Sequence, residues 1–184
     1  MRRSERRLPH WDVIQQPLFV TFRLYGTLPA SRIFAPAVLT SAGKAFVAMD
    51  RILDSALTGP SYLRMPEIAA IVEAALHSGE SRFGQYQLHS YVVMPNHVHA
   101  LVTPQVIAPK WLGPLKGFTA HEANGILGQR GQHFWQNESY DHLVRSADEF
   151  HRIRNYIEQN PVMAGLAATA GGFRWSSAFA SAAA

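Results

Sequence analysis

The chain has 184 residues, 17 Lys and Arg against 13 Asp and Glu, and no cysteine. That length fits one domain with a sizeable core. The lack of Cys excludes disulfides, thiolate zinc sites and Cys nucleophiles, and no run of about 18 apolar residues marks a membrane span.

The net charge of +4 is carried mostly by arginine, whose forked guanidinium matches phosphate oxygens; Lys stands only at Lys44, Lys110 and Lys116. Arg2, Arg3, Arg6 and Arg7 crowd the start of the chain. No apolar stretch follows them, so residues 1–12 read as a basic, flexible arm able to lie along a nucleic-acid backbone, not as an export signal.

Residues 18–25 alternate cleanly. Leu18, Val20, Phe22 and Leu24 are expected to face a core, with Thr21 and Arg23 facing the other way. Helices are predicted over 41–57 and 66–78, the second with Pro66 in its first turn. Strands are predicted over 85–94 and 97–103, joined at Pro95-Asn96. Proline fixes φ near −65°, which the primed hairpin turns do not allow, so a longer or bulged hairpin is expected. Residues 110–127 read as a helix weakened by Gly117 and Gly125. Lys110 and Lys116, with Trp111 between them, suit backbone contacts and base stacking. Residues 132–144 include an extended segment. A helix then starts at the Ser146–Glu149 capping box and is expected to stop at Pro161. The Ala/Gly-rich tail, residues 167–184, is expected to pack loosely. The domain between arm and tail is residues 13–166.

Two features carry chemistry. His97 and His99 stand one residue apart on a strand, so both imidazoles point to one face. Tyr156 and Asn160 lie four residues apart on the capped helix, so a phenol and a carboxamide share a flank beside the Phe150, Ile153 and Ile157 stripe. Asn160 precedes a proline and is expected to end the helix or cap it. Singly, each has a structural explanation: paired strand histidines, a packing tyrosine, a helix-terminal asparagine. Glu149 is accounted for by the capping box, and Glu158 projects elsewhere. His142, beside Asp141, is a candidate to orient Tyr156 or touch phosphate. Tyr140 is the rival phenol, but Val144 stands where its carboxamide partner would be.

In combination these residues carry a resemblance. His97-Val98-His99 resembles the His-hydrophobic-His motif of single-tyrosine transposases, and the chain is most similar to the REP-associated tyrosine transposases. The likeness runs from Phe19-Val20-Thr21-Phe22-Arg23-Leu24 through Tyr91-Val92-Val93-Met94-Pro95-Asn96 to Lys116-Gly117-Phe118-Thr119 and Asn124. It continues in Phe134-Trp135-Gln136, Tyr140-Asp141-His142 and Tyr156-Ile157-Glu158-Gln159-Asn160-Pro161. The resemblance implies an α+β, ferredoxin-like antiparallel sheet, with the histidines on a central strand and the tyrosine on a C-terminal helix. It implies Tyr156 as nucleophile and His97, His99 and Asn160 as ligands of a divalent metal, Mg²⁺ or Mn²⁺. The implied activity is cleavage and rejoining of single-stranded DNA beside a hairpin, through a 5′-phosphotyrosine. The implied protein is a monomer acting in cis, with a dimer as the alternative, in the cytoplasm at the nucleoid and away from membranes. Candidate DNA contacts are Arg2, Arg3, Arg6, Arg7, Arg23, Lys110, Lys116, Arg145 and Arg152. The competing function is a non-catalytic binder of structured nucleic acid. A His-triad nucleotide hydrolase would need a histidine where Leu101 stands.

Overall fold

The structure, a computed structural model, describes residues 2–5, 9–27 and 59–179. Its strands are β1 (Arg2–Glu5), β2 (Pro9–Asp12), β3 (Leu18–Arg23), β4 (Tyr86–Val93), β5 (His97–Pro104) and β6 (Tyr140–Leu143). Its helices are α1 (Pro66–Ser81), α2 (Ala108–Ile126) and α3 (Ala147–Met163). The helix expected over 41–57 lies outside the described residues, as do Lys44, Arg6 and Arg7. Arg2 and Arg3 sit on β1, which pairs antiparallel with β2 in a two-stranded ribbon. Among the described residues no helix is long and apolar enough to cross a membrane.

β3, β4, β5 and β6 form one antiparallel sheet in the order β4-β5-β3-β6. With α1 before β4 and α2 after β5, this is the ferredoxin-like βαββαβ arrangement. The alternation of β3 decides what each face meets. Leu18, Val20, Phe22 and Leu24 join the core under α1 and α2. Phe19, on the opposite face, joins Val92 and Leu101 beneath Ile157, Phe150 and Ile153 of α3. The sheet is therefore covered on both sides, and β5 is buried along nearly its whole length.

Helix α1 packs so closely on β4 that one position tolerates no side chain. A Cβ on Gly79 would overlap the ring of Tyr86, whose hydroxyl donates to the Leu76 carbonyl at 2.7 Å. Gly79→Ala is expected to cost about 1–3 kcal/mol by overpacking, read as a lower urea midpoint at unchanged slope.

Several expectations need correction. Trp111 is fully buried against Tyr86, ring centroids 4.8 Å apart, so it cannot stack on a base. Helix α2 continues through Gly113, Pro114 and Gly117 because Trp111, Leu112, Leu115 and Thr119 anchor one side of it. The β4–β5 connection is Met94-Pro95-Asn96, longer than a two-residue turn as expected: Val93 opposes Val98, and the Met94 N–H donates to the His97 carbonyl at 2.9 Å. Its carbonyls are taken up by neighbours, Pro95 O by Leu63 N–H and Asn96 O by Leu24 N–H. A register shift also lies within β4, between Leu88 and Ser90.

The end of α3 also differs. Ser146 caps its start by accepting from Glu149 N–H, as expected. Pro161 does not stop the helix, and Asn160 lies inside it. The stop comes from Gly165 at φ +69°, where Gly165 N–H bonds to Val162 O and Leu166 N–H to Pro161 O. That is a Schellman closure, and it outweighs the single hydrogen bond Pro161 forfeits. The tail is not loose over its described residues. Val93 N–H donates to Trp175 O, Ser177 N–H to Tyr91 O, and Trp175 packs on the core. Residues 173–179 thus strap the outer edge of β4.

Candidate active site

Cross-strand pairing assembles the site. His99 on β5 lies opposite Thr21 on β3, and His97 opposite Arg23. Directly opposed residues of an antiparallel pair share a face, so β3 supplies a hydroxyl to one imidazole and a guanidinium beside the other. Both histidines are fully buried. Their Nε2 atoms are 3.0 Å apart.

The outer nitrogens are held from behind. His97 Nδ1 is 2.6 Å from Asn96 Oδ1, and His99 Nδ1 is 2.7 Å from Thr21 Oγ1. A carboxamide oxygen only accepts, so the proton of neutral His97 sits on Nδ1 and its Nε2 presents a lone pair. Thr21 can serve His99 either way. When the hydroxyl donates, His99 Nε2–H bonds to His97 Nε2. When it accepts, both Nε2 lone pairs converge on one point. Two imidazoles converging through Nε2, each with an oxygen partner at Nδ1, are the donor arrangement of a metal site. Imidazole suits first-row transition metals better than Mg²⁺. The residues present therefore fit a divalent ion. Among the described residues no cluster of three His, Asp or Glu side chains adds to them, so a further protein donor must be of another type.

Helix α3 closes over this face. Ile157 seats on Val92, Met94 and Leu101. Tyr156, half-buried, lies with its ring centroid 5.8 Å from that of His99 and edge-on to Phe19 at 6.4 Å. One turn further along α3, Asn160 is fully buried. Tyr140 lies 6.4 Å from Phe19 on the other side. Burial, then the charges of Asp141 and Glu149, push its hydroxyl up to about 12, which disfavours it as a nucleophile.

The basic candidates separate. Arg23 flanks His97, and its Nη1 donates to Thr27 Oγ1 at 3.1 Å. Burial lowers its pKa, and Glu138 opposes that shift. Lys116 Nζ donates to the carbonyls of Gln136 and Asn137 at 2.6 and 3.0 Å. Burial, then the Arg23 charge, pull Lys116 down to about 8. Lys110, Arg145 and Arg152 are exposed. His142 is held by Glu149, Nε2 to Oε1 at 2.8 Å, instead of reaching Tyr156. Burial would raise the Glu149 carboxyl, but Arg145 N–H, His142 and the Arg145 charge together hold it below its usual value.

Two site residues escaped the sequence reading. Asn96 reads from the sequence only as a turn residue, although a carboxamide next to a strand histidine is a readable signal. Thr21 gave none, because its meeting with His99 depends on strand register. Side-chain hydrogen bonds also tie α2 to the segment before β6. Trp135 Nε1 donates to Thr119 Oγ1 at 2.9 Å and Asn124 Nδ2 to Gln132 O at 2.8 Å. These bonds fix the segment whose Gln136 N–H pairs with Arg23 O.

No curated protein matches the chain. Among solved structures it is similar to a REP-associated tyrosine transposase bound to a REP hairpin. That likeness has a TM-score of 0.58 at 16% identity and covers 94% of this chain and 81% of the other. The IS200-like transposase family matches residues 67–160, a span just over half the chain that includes His97, His99, Tyr156 and Asn160. The chain belongs to the IS200-like transposase family.

Proposed function

We propose that this protein cleaves and rejoins single-stranded DNA beside a hairpin, with Tyr156 as nucleophile and His97, His99 and Asn160 holding a divalent metal, Mn²⁺ or Mg²⁺. The observation that carries the reading is the approach of Tyr156 to His99 within one chain, ring centroids 5.8 Å apart. The hairpin-bound neighbour supports a DNA partner. The in-chain pairing of tyrosine and histidines supports a monomer acting in cis.

Tyr156 is packed on one side by Phe19 and carried by a helix anchored at Ile157, so its hydroxyl is presented with little freedom left to lose. Its oxygen attacks the scissile phosphorus in line. The P–O3′ bond breaks, the phenol gives up its proton, and the departing 3′ oxygen gains one. The product is a 5′-phosphotyrosine and a free 3′-OH. A later 3′-OH attack reverses or redirects the linkage, and because one phosphodiester replaces another no nucleotide cofactor is required. A bound divalent ion would neutralise charge on the phosphate oxygens. His97 and His99 are suited to that because neutral imidazoles leave the ion's charge undiluted. Arg23, beside His97, is assigned to a neighbouring phosphate, with Lys116 adding charge behind it.

Two consequences can be measured. Asn96→Ala and Thr21→Val each remove the oxygen behind one imidazole and are expected to weaken Mn²⁺ binding about 10–100-fold, by calorimetry. Unchanged affinity would mean the orienting bonds do not matter. Lys116 loses its positive charge as pH rises through about 8, so affinity for single-stranded DNA is expected to fall between pH 7 and 9. Lys116→Arg should flatten that fall, and a parallel decline in the variant would assign it elsewhere. The activity itself is tested by incubating the protein with labelled hairpin DNA bearing a single-stranded flank and Mn²⁺ or Mg²⁺. A denaturation-resistant adduct is expected. Binding without an adduct would reduce the protein to a nucleic-acid binder.

A further inference from the structure

Helix α3 meets the sheet along two flanks. On the β4 flank the contacts are apolar: Ile157 seats on Val92, Met94 and Leu101, and Phe150 stands edge-on to His89 at 4.9 Å. Contacts of this kind hold the helix down but are non-directional, so they leave it free to roll about its axis. The other flank, toward β3 and β6, carries Tyr156. A roll of about 10° moves a group at the side-chain radius of a helix by about 1 Å.

The residue that sets the roll is on β6. His142 lies directly opposite Phe19 and therefore shares the active-site face of the sheet. Phe19 is the ring against which Tyr156 rests edge-on at 6.4 Å, and it also borders His99, with ring centroids 5.5 Å apart. His142 Nε2 donates to Glu149 Oε1 at 2.8 Å. Glu149 stands two turns before Tyr156 on α3, about 20° away around the helix. Any roll that lifts Tyr156 off Phe19 also pulls Glu149 from His142.

The capping box does not account for this bond. A cap needs one carboxylate oxygen to reach back to an N–H at the helix start, and Glu149 Oε2 does so by accepting from Arg145 N–H at 2.7 Å. The second oxygen is surplus to the cap, and it goes to His142. Stability does not account for the bond either. The two side chains are 26% and 24% exposed, and pairs that water reaches add little to folding.

We propose that His142 is a positioning residue for strand cleavage: its bond to Glu149 fixes the roll of α3 and so keeps the Tyr156 hydroxyl aimed beside His97 and His99. It acts through Glu149 and the helix, touching neither DNA nor metal. The inference rests on the reading of Tyr156 as nucleophile. A hydroxyl displaced by about 1 Å from its in-line approach costs up to about 10²-fold in rate.

The test compares His142→Ala, His142→Gln and Ser146→Ala. The last is the matched control, because it removes the helix cap and so destabilises α3 while leaving His142 and Glu149 in place. His142→Ala is expected to slow single-turnover cleavage at saturating hairpin DNA and Mn²⁺ by about 10–100-fold, with DNA affinity within about twofold. In His142→Gln the amide nitrogen takes the place of Nε2 as donor to Glu149, and most of the rate should return. Ser146→Ala should lower the melting temperature at least as much as His142→Ala and leave the rate close to wild type. An unchanged rate in His142→Ala, a loss matched by Ser146→Ala, or a Gln variant as slow as the Ala variant would overturn the proposal; the last would mean that the imidazole itself takes part.

A second readout needs neither DNA nor metal. The Tyr156 ring signals in NMR, assigned by their loss in Tyr156→Phe, are shifted by the neighbouring Phe19 and His99 rings. They should move in His142→Ala and return in His142→Gln. Moved signals in a protein whose wild type forms no adduct leave the positioning bond standing and remove the nuclease reading. A wild-type adduct, with signals and rate unmoved in His142→Ala, does the reverse.

Discussion

Replacing either His97 or His99 by alanine is expected to lower strand cleavage by about 10²–10⁴-fold, the range in which several kcal/mol of transition-state stabilisation falls. The loss has two physical parts. One Nε2 donor disappears from a pair set 3.0 Å apart, and the surviving imidazole is left without a counterpart in a fully buried position. DNA binding through the basic surface should change little, because neither ring is exposed to a strand lying across the protein. EDTA should reproduce the loss in the wild type, and Mn²⁺ should restore activity at least as well as Mg²⁺, since both protein nitrogens are imidazole donors. Full activity of the alanine variants in EDTA would remove the metal from the account.

Tyr156→Phe is expected to abolish the covalent adduct altogether and to leave DNA affinity within about twofold, the pattern of a group whose role is in the transition state and not in binding the DNA. The substitution is mild structurally. The ring keeps its edge contact with Phe19 and its place beside His99, and Ile157 still anchors the helix. Tyr140→Phe is the matched control. Its hydroxyl is pushed up to about 12, so it ionises even less readily than an ordinary phenol, and its removal should leave cleavage largely intact. A partial loss in Tyr156→Phe, with the remainder erased by Tyr140→Phe, would mean that the two phenols share the reaction.

Local periodicity made the main elements legible. The alternation of residues 18–25 gave the orientation of β3, and the spacing of His97 and His99 gave their common face. The Ser146–Glu149 box marked the start of α3. What local pattern does not hold is which strand lies beside which. The Thr21–His99 bond joins residues 78 apart in sequence and exists only because β3 pairs with β5 in one register. Lys110, Trp111 and Lys116 read as a basic and aromatic group, yet the helical turn separates them: Trp111 enters the core, Lys116 turns to two carbonyls, and Lys110 is exposed. At Pro161 the local rule was sound but incomplete. Proline discourages helix at the preceding residue, whereas the Gly165 closure and the buried anchorage of Ile157, Asn160 and Pro161 hold the last turn in place. The described part of the tail, to residue 179, departs from expectation for a similar reason. Small residues pack poorly by themselves, but the exposed edge of β4 offered backbone partners that the tail satisfies.

The pairing of Tyr156 with the two histidines is tested most directly by locating the DNA on the protein. The wild-type chain is incubated with single-stranded hairpin DNA and Mn²⁺, trapped by denaturation, digested, and the modified peptide sequenced by mass spectrometry. The account predicts a 5′-phosphonucleotide on the Tyr156 side chain, formed only with metal and absent in His97→Ala. A nucleotide on Tyr140, or an adduct on Tyr156 that forms equally well without metal and without His97, would contradict it.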